Sequence, residues 1–231
     1  MTKLKRRAVS AEQKAQRRVD ILNSARALFN TANSYDAILM KHIAENIQLT
    51  KGTLYLYFKT KEEVFLALYE QELLALNGRL NTAFSLLTDA CSVDDAHRAL
   101  VSSIKGEDTY LRLNRLLHAV LEQNIDFETA LAFKTMLREQ IFMSGRALEN
   151  KLVELSPGQG AELLLMMHEI MIGCYHAATP SSCLDEIFER PDMAFMKLHF
   201  DTEFPKLLRL VMVSFVAEAS RYCPSRNSPI V

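Results

Sequence analysis

An all-α fold is the class this sequence predicts, and three observations carry it. Apolar residues recur at three- and four-residue spacing along most of the chain, and no useful stretch alternates with period two. Two capping-box pairs, Ser10/Gln13 and Thr60/Glu63, mark helix starts. Seven glycines, six prolines and no tryptophan in 231 residues leave too few turn signals for a many-stranded sheet.

The elements follow in order. Ser10 opens a helix near Ala11, with Ile21, Leu22, Ala25, Leu28 and Phe29 on one face and a stop near Asn33-Ser34. A second helix is expected over Leu39 to Asn46 and a third over Lys51 to Tyr57, capped by Thr50. Thr60 opens a long fourth helix with an apolar stripe from Phe65 to Leu87. Five more helical patterns cover Ala96–Ile104, Thr109–Gln123, Glu128–Leu155, Gly158–Ala177 and Phe204–Tyr222. Ser156-Pro157-Gly158-Gln159 reads as an N-cap, a first-turn proline and a capping glutamine. Loops fall at 88–94, 105–108, 123–127, 155–160 and 178–192, and residues 1–9 and 223–231 read as disordered. The domain reading is a head over 1–60 with a basic N-terminal arm, a helical domain over 61–222, and a tail.

Charge separates the head from the rest. Residues 1–61 carry twelve Lys/Arg against four Asp/Glu, a balance of +8, while the whole chain stands at -1, leaving -9 for the remainder. A basic module joined to an acidic one points to a polyanion partner for the first only. Four cysteines without a CxxC pair read as reduced thiols of a cytoplasmic protein. Residues 1–10 lack the apolar core of a signal peptide, and Ala161–Ala178 holds too many polar residues to cross a membrane.

Ile43–Phe58 carries the function. Two short helices joined by a tight turn can place the second in the DNA major groove. Thr50 is a candidate cap for that helix and a candidate phosphate contact through its hydroxyl, with the cap alone as its other reading. Lys51 sits in the first turn, where a cation opposes the helix dipole, so it makes better sense facing DNA. Gly52 permits close backbone approach. Thr53 and Leu56 are candidates for base contacts, Leu56 through a thymine methyl, with the core as its other reading. Leu54 and Phe58 are assigned to the core. Lys41, Lys59 and Lys61 are expected on the DNA backbone. Lys3, Lys5, Arg6 and Arg7 read either as an arm reaching phosphate or minor groove, or as a solubilising tail.

In the second module, Gly158–Ala177 and, within the 204–222 helix, Leu207–Ala217 are apolar nearly all round, as helices buried on several sides are. They fit a bundle built across a two-fold axis, with a deep monomeric core as the other reading. Phe133, Met136, Leu137, Met167 and Met171, with Met143, Met166 and Phe195, are candidates for an apolar ligand pocket, although the same spacing suits plain core. His118, His168 and Tyr175 are candidates for its polar contacts. His168, Cys174 and His176 lack metal-ligand spacing, Gly158-x-Gly160 follows no strand, and no nucleophile–base constellation appears. The chain is therefore expected to be neither enzyme nor metalloprotein, and to need no cofactor.

Residues 18–70 resemble the DNA-binding domain of the TetR family of bacterial transcriptional repressors. The resemblance rests on Ile21-Leu22, Ala25, Leu28-Phe29, Tyr35, Ile43-Ala44, Leu49 to Tyr55, Tyr57-Phe58 and Lys61-Glu62. It implies a homodimer, paired through the two apolar helices, on a palindromic double-stranded operator, released when a small apolar molecule enters the C-terminal domain. It also implies that the Tyr55 and Tyr57 hydroxyls reach phosphates. Two departures stand out: Gln48 occupies the corner where many members have glycine, and Ile38 stands where many have a capping threonine. Glutamine there is strained or forces a different turn. The alternative output is a protein partner rather than an inducer response, as in nucleoid-occlusion members of the family.

Overall fold

The computed structural model describes the backbone of residues 2–32 and 34–222, and the side chains of 11–219 apart from 33 and 118. Among these residues there are helices and no strand. The helices are α1 (Thr2–Thr31), α2 (Met40–Asn46), α3 (Lys51–Tyr55), α4 (Lys61–Ser85), α5 (Val93–Ile104), α6 (Asp108–Leu116), α7 (Phe127–Glu149), α8 (Gln159–Ala178), α9 (Ser182–Phe188) and α10 (Phe200–Tyr222). They form two compact units: residues up to Leu73 with Asp108–Leu131, and Leu74–Glu107 with residues from Ala132 on. The expected boundary at residue 60 marks the end of the helix-turn-helix, but the first unit also takes in the start of α4 and all of α6.

The core of the first unit is aromatic. Phe65 of α4 meets Phe29 of α1 at 5.4 Å and the edge of Tyr35 at 5.1 Å, the offset and tilted geometries that ring quadrupoles favour. Ser24 of α1 donates to the Ile43 carbonyl of α2 at 2.9 Å in a buried site, and Asn46 donates back to Ser24. This pair sets α2 on α1. Tyr69 of α4 stacks on Tyr110 of α6 and donates to Asn114 at 3.0 Å. Burial pushes the Tyr69 phenol well up, so it stays a donor.

The core of the second unit includes Phe133 of α7, Met167 and Met171 of α8, and a stripe on α10 at Phe204, Leu208, Met212 and Val216. Buried Ser144 of α7 donates to Asn77 of α4 at 3.0 Å. The α7/α8 crossing is unusually close. A Cβ on Gly145 would lie 2.5 Å from the Ala161 amide nitrogen, and one on Gly160 would lie 2.2 Å from the Gly145 carbonyl oxygen. Glu149 completes the crossing by accepting from Gly158 and Gly160 N–H at 2.9 and 2.8 Å, so an anion caps the start of α8.

Several expectations are corrected. Helix α1 begins at Thr2, not near Ala11, so residues 2–9 are helical rather than disordered. The basic side chains at 3, 5, 6 and 7, and the tail at 223–231, lie outside the described residues. Helix α7 stops at Glu149, not Leu155; the apolar pattern runs on because Leu152 and Leu155 are buried from a turn. Helix α6 passes into a wide π turn at Leu117–Leu121 instead of running regularly to Gln123. The expected loop at 178–192 contains α9, which lacks the buried face that apolar periodicity reports. Helix α10 starts at Phe200, one turn before Phe204, and holds Pro205 in its second turn. Gly158, in the left-handed region at φ 94°, is the N-cap of α8 in place of Ser156. Half of the expected box survives, since the Gln159 side chain accepts from the Ser156 N–H at 2.7 Å. The Thr60/Glu63 pair caps α4 as expected, with Glu63 N–H donating to Thr60 and the Glu63 carboxylate reaching the Lys59 N–H.

Candidate DNA-binding surface

The turn between α2 and α3 is built on Gln48. Its φ is 57°, the left-handed region. Leu49 N–H bonds to the Ala44 carbonyl at 2.8 Å and Gln48 N–H to the Glu45 carbonyl at 3.1 Å, the paired bonds of a Schellman motif. The turn therefore keeps the geometry that glycine favours and holds it with a strained glutamine. Gln48→Gly should raise the unfolding free energy by about 0.5–1 kcal/mol, since relief of about 1–2 kcal/mol of strain outweighs the extra chain entropy released on unfolding. Urea denaturation measures it, and an unchanged or lower midpoint would refute it.

The start of α2 shows how the chain manages without a polar cap. Ile38 is buried at 2% exposure and joins the core, and Leu39 takes the N-cap position. Nδ1 of His42 accepts from the Leu39 N–H at 3.2 Å, satisfying a donor that a threonine cap would leave to other groups.

Helix α3 is anchored from below and open above. Leu54 and Phe58 are buried at 0% and 2%, as expected. Arg18 of α1 lies 4.3 Å from the Phe58 ring centroid and seals that side. Thr50 caps the helix, accepting from Thr53 N–H at 3.1 Å, with the two hydroxyls 2.8 Å apart. Both hydroxyls are thus positioned at the first turn. Lys51 and Gly52 are exposed, and Thr53 is half-buried. Leu56 is 78% exposed, which removes its core reading and leaves a bare methyl-bearing side chain one residue past α3. Tyr55 is 43% exposed, with the Lys51 ammonium 5.7 Å from its ring, and Tyr57 is half-buried.

The remaining lysines differ in freedom. Lys41 is exposed on α2. Lys59 is exposed but paired with Asp126, Nζ to Oδ2 at 2.9 Å, and this hydrogen bond raises the lysine's affinity for its proton. Lys61 is held inside the unit: Nζ donates to the Tyr35 carbonyl at 3.1 Å and lies 3.7 Å from that ring's centroid. Burial pushes the Lys61 ammonium down, partly offset by Glu62, which itself accepts from the Tyr35 hydroxyl. Lys61 therefore braces α4 against the segment before α2.

Sequence reasoning passed over Lys14 and Arg17. With Gln13, Gln16, Asp20 and Tyr57 they line an open groove of about 590 Å³ on the first unit. Their signal in the sequence is the spacing on α1: Lys14 stands three residues before Arg17 and four before Arg18.

Of the residues proposed for a ligand, Phe133, Met167 and Met171 are buried, while Met136, Leu137, His168 and Tyr175 are half-buried. Tyr175 packs edge-on to Phe200 at 5.6 Å. Met143 and Phe195 are exposed, and the His118 side chain lies outside the described residues. Among the described residues no group of three or more His, Cys, Asp or Glu could hold a metal, and no helix is long and apolar enough to cross a membrane.

Two family models match the chain. The model for bacterial regulatory proteins of the tetR family matches residues 21–68, the span from α1 through the start of α4. The model for the tetracyclin repressor-like C-terminal domain matches residues 66–213. No curated protein is matched by this sequence. The second match alone covers more than half of the chain, and its junction with the first falls inside α4. With a capped, outward-facing α3 in the matched head, the chain belongs to the TetR family of DNA-binding transcriptional regulators.

Proposed function

We propose that this protein is a homodimeric transcriptional repressor that binds a palindromic operator through α3 and leaves it when a small apolar molecule occupies the second unit. The observation that carries the DNA half is the contrast along α3 and its C-cap: Leu54 is sealed in the core, while Lys51, Gly52 and Tyr55 on the helix and Leu56 just past it stand exposed. A side chain as apolar as Leu56 gains little from water and much from a thymine methyl. Thr53 stands beside it for a second base contact, and Thr50, Tyr55 and Tyr57, with Lys41 on α2 and Lys59 just before α4, for phosphate contacts that set register. Lys14 and Arg17 extend that cationic rim along α1.

The dimer half rests on α8 and α10. Their inner faces pack in the second unit, yet Leu165 on α8 and Leu207, Leu210 and Val213 on α10 remain exposed. Apolar side chains on the outer faces of two adjoining helices fit an isologous contact with a second copy. Pairing places two α3 helices for successive major grooves. Release follows if a ligand prefers the dimer geometry that does not fit DNA, with coupling of about 1–3 kcal/mol. Action on DNA also accords with a cytoplasmic location.

The test is binding to DNA from the protein's own upstream region, measured against salt. Neutralising six to eight phosphates predicts a fall of roughly three decades or more between 50 and 200 mM salt. Specific binding of a palindrome with two protomers is the expected result. Salt-independent binding, or no preference over unrelated DNA, would overturn the reading.

A further inference from the structure

We propose that Asp126 competes with DNA for Lys59: its carboxylate holds the lysine in the free protein, and an operator phosphate has to replace it. The inference rests on the reading of the head as a DNA-binding unit in which Lys59 reaches a phosphate.

The pairing sets Lys59 apart from other lysines assigned to DNA. Lys41 and Lys51 are exposed, and among the described residues neither forms an ion pair. The Lys59 side chain is 75% exposed, yet its Nζ lies 2.9 Å from Oδ2 of Asp126, 67 residues away. Carboxylate and phosphate offer a lysine the same acceptor, an anionic oxygen. The ammonium has three N–H donors, but bridging both anions would hold two like charges about 5 Å apart. Engagement by one therefore weakens engagement by the other.

Both ends of the pair are fixed from behind. The Lys59 N–H donates to the Glu63 carboxylate at 2.7 Å, and the preceding Phe58 is buried, so the lysine's backbone belongs firmly to the head. Asp126 immediately precedes α7 and caps it. Its Oδ1 accepts from the Thr129 N–H at 2.9 Å, and its carbonyl accepts from the Ala130 N–H at 3.0 Å. One carboxylate oxygen is committed to the helix, and the other is left for Lys59. The Thr129 hydrogen bonds, with a further contribution from Lys59, hold the Asp126 carboxyl well below the usual carboxylate range. The competing anion is thus always charged. Because the cap already orders it, little side-chain entropy is lost on its side when the lysine binds.

The place of that anion is set by irregular backbone. Helix α6 gives way to the π turn at Leu117–Leu121, then to the 3-10 turn at Glu122–Asn124 and the extended Ile125. Turns of the π type recur at functional sites. Asp126 follows this segment, while Lys59 follows the helix-turn-helix. A shift of the segment would move the anion and leave α3 as it is, so operator affinity is adjustable without remodelling the recognition element.

The test is a double-mutant cycle on full-length protein, read by titration of the operator from its own upstream DNA. Asp126→Asn removes the charge and keeps a good cap, and Asp126→Ser repeats the change with a second uncharged cap. An exposed pair of this kind is worth about two- to fivefold per head, so each variant should tighten binding by about five- to twentyfold in a two-headed complex. The slope of log affinity against log salt should steepen by up to about one per head. In a Lys59→Met background the same changes should give less than about twofold. A gain that persists without Lys59 makes Asp126 a diffuse repulsion and overturns the proposal. Unchanged binding in both uncharged variants overturns it too, and weaker binding would make Asp126 a support that aims Lys59 at DNA. Wild-type protein without any salt-dependent preference for the operator overturns the DNA reading and this proposal together.

Discussion

Lys51→Glu should lower affinity for the operator on the order of a hundredfold or more while leaving the head folded. Lys51 is exposed in the first turn of α3; among the described residues no hydrogen bond holds it, and its ammonium lies 5.7 Å from the Tyr55 ring centroid. In the dimer proposed above, reversal of charge removes a phosphate attraction and adds a repulsion in each half-site, and the two half-sites act together. Fold stability moves the other way. A carboxylate near a helix N-terminus is favourable by about 0.3–1 kcal/mol, where the lysine opposes the dipole. Operator titration by fluorescence anisotropy and a thermal melt on the same sample give both signs. Retained affinity, or a drop in melting temperature large enough to explain the loss, would sink the assignment of α3.

Gly160→Ala should be the most damaging glycine-to-alanine change in the second unit. The new Cβ would meet the Gly145 carbonyl oxygen at 2.2 Å, and neither partner is a side chain that can swing away. The helices must separate, which loosens the Glu149 cap on the Gly158 and Gly160 amides. A cost of about 3 kcal/mol is expected, at the upper end of core overpacking. In a chain of this size that is a fall of roughly 6–12 °C in melting temperature. Gly78→Ala is the matched control: it lies on the exposed side of α4 with nothing within 4 Å of the added Cβ. There the helix gains about 1 kcal/mol from the better propensity of alanine. Equal behaviour of the two variants would refute the close crossing.

Much of the head was legible in the sequence because its signals are local. Thr50, Thr60 with Glu63, Leu54 and Phe58 act within one or two turns, and their spacing alone states their roles. Gln48 was legible as a conflict but not as an outcome. Left-handed strain and an altered turn were both open, and the Ala44 and Glu45 carbonyls decided for the first. The fate of the lysines was hidden for a different reason. Lys51, Lys59 and Lys61 look alike in sequence, but the groups that distinguish them, Asp126 and the Tyr35 carbonyl, lie 67 and 26 residues away.

The sequence by itself determined the helical class, the basic head, the capped recognition element and the family, because periodicity, caps and charge are written in consecutive residues. Tertiary structure alone decided where helices stop when apolar spacing runs on, as at Leu152 and Leu155, and that α9 forms where a loop was expected. It also decided that Gly145 and Gly160 are partners and that Leu56 faces out. Each of these depends on which distant group fills the neighbouring space, and a one-dimensional pattern carries no record of that.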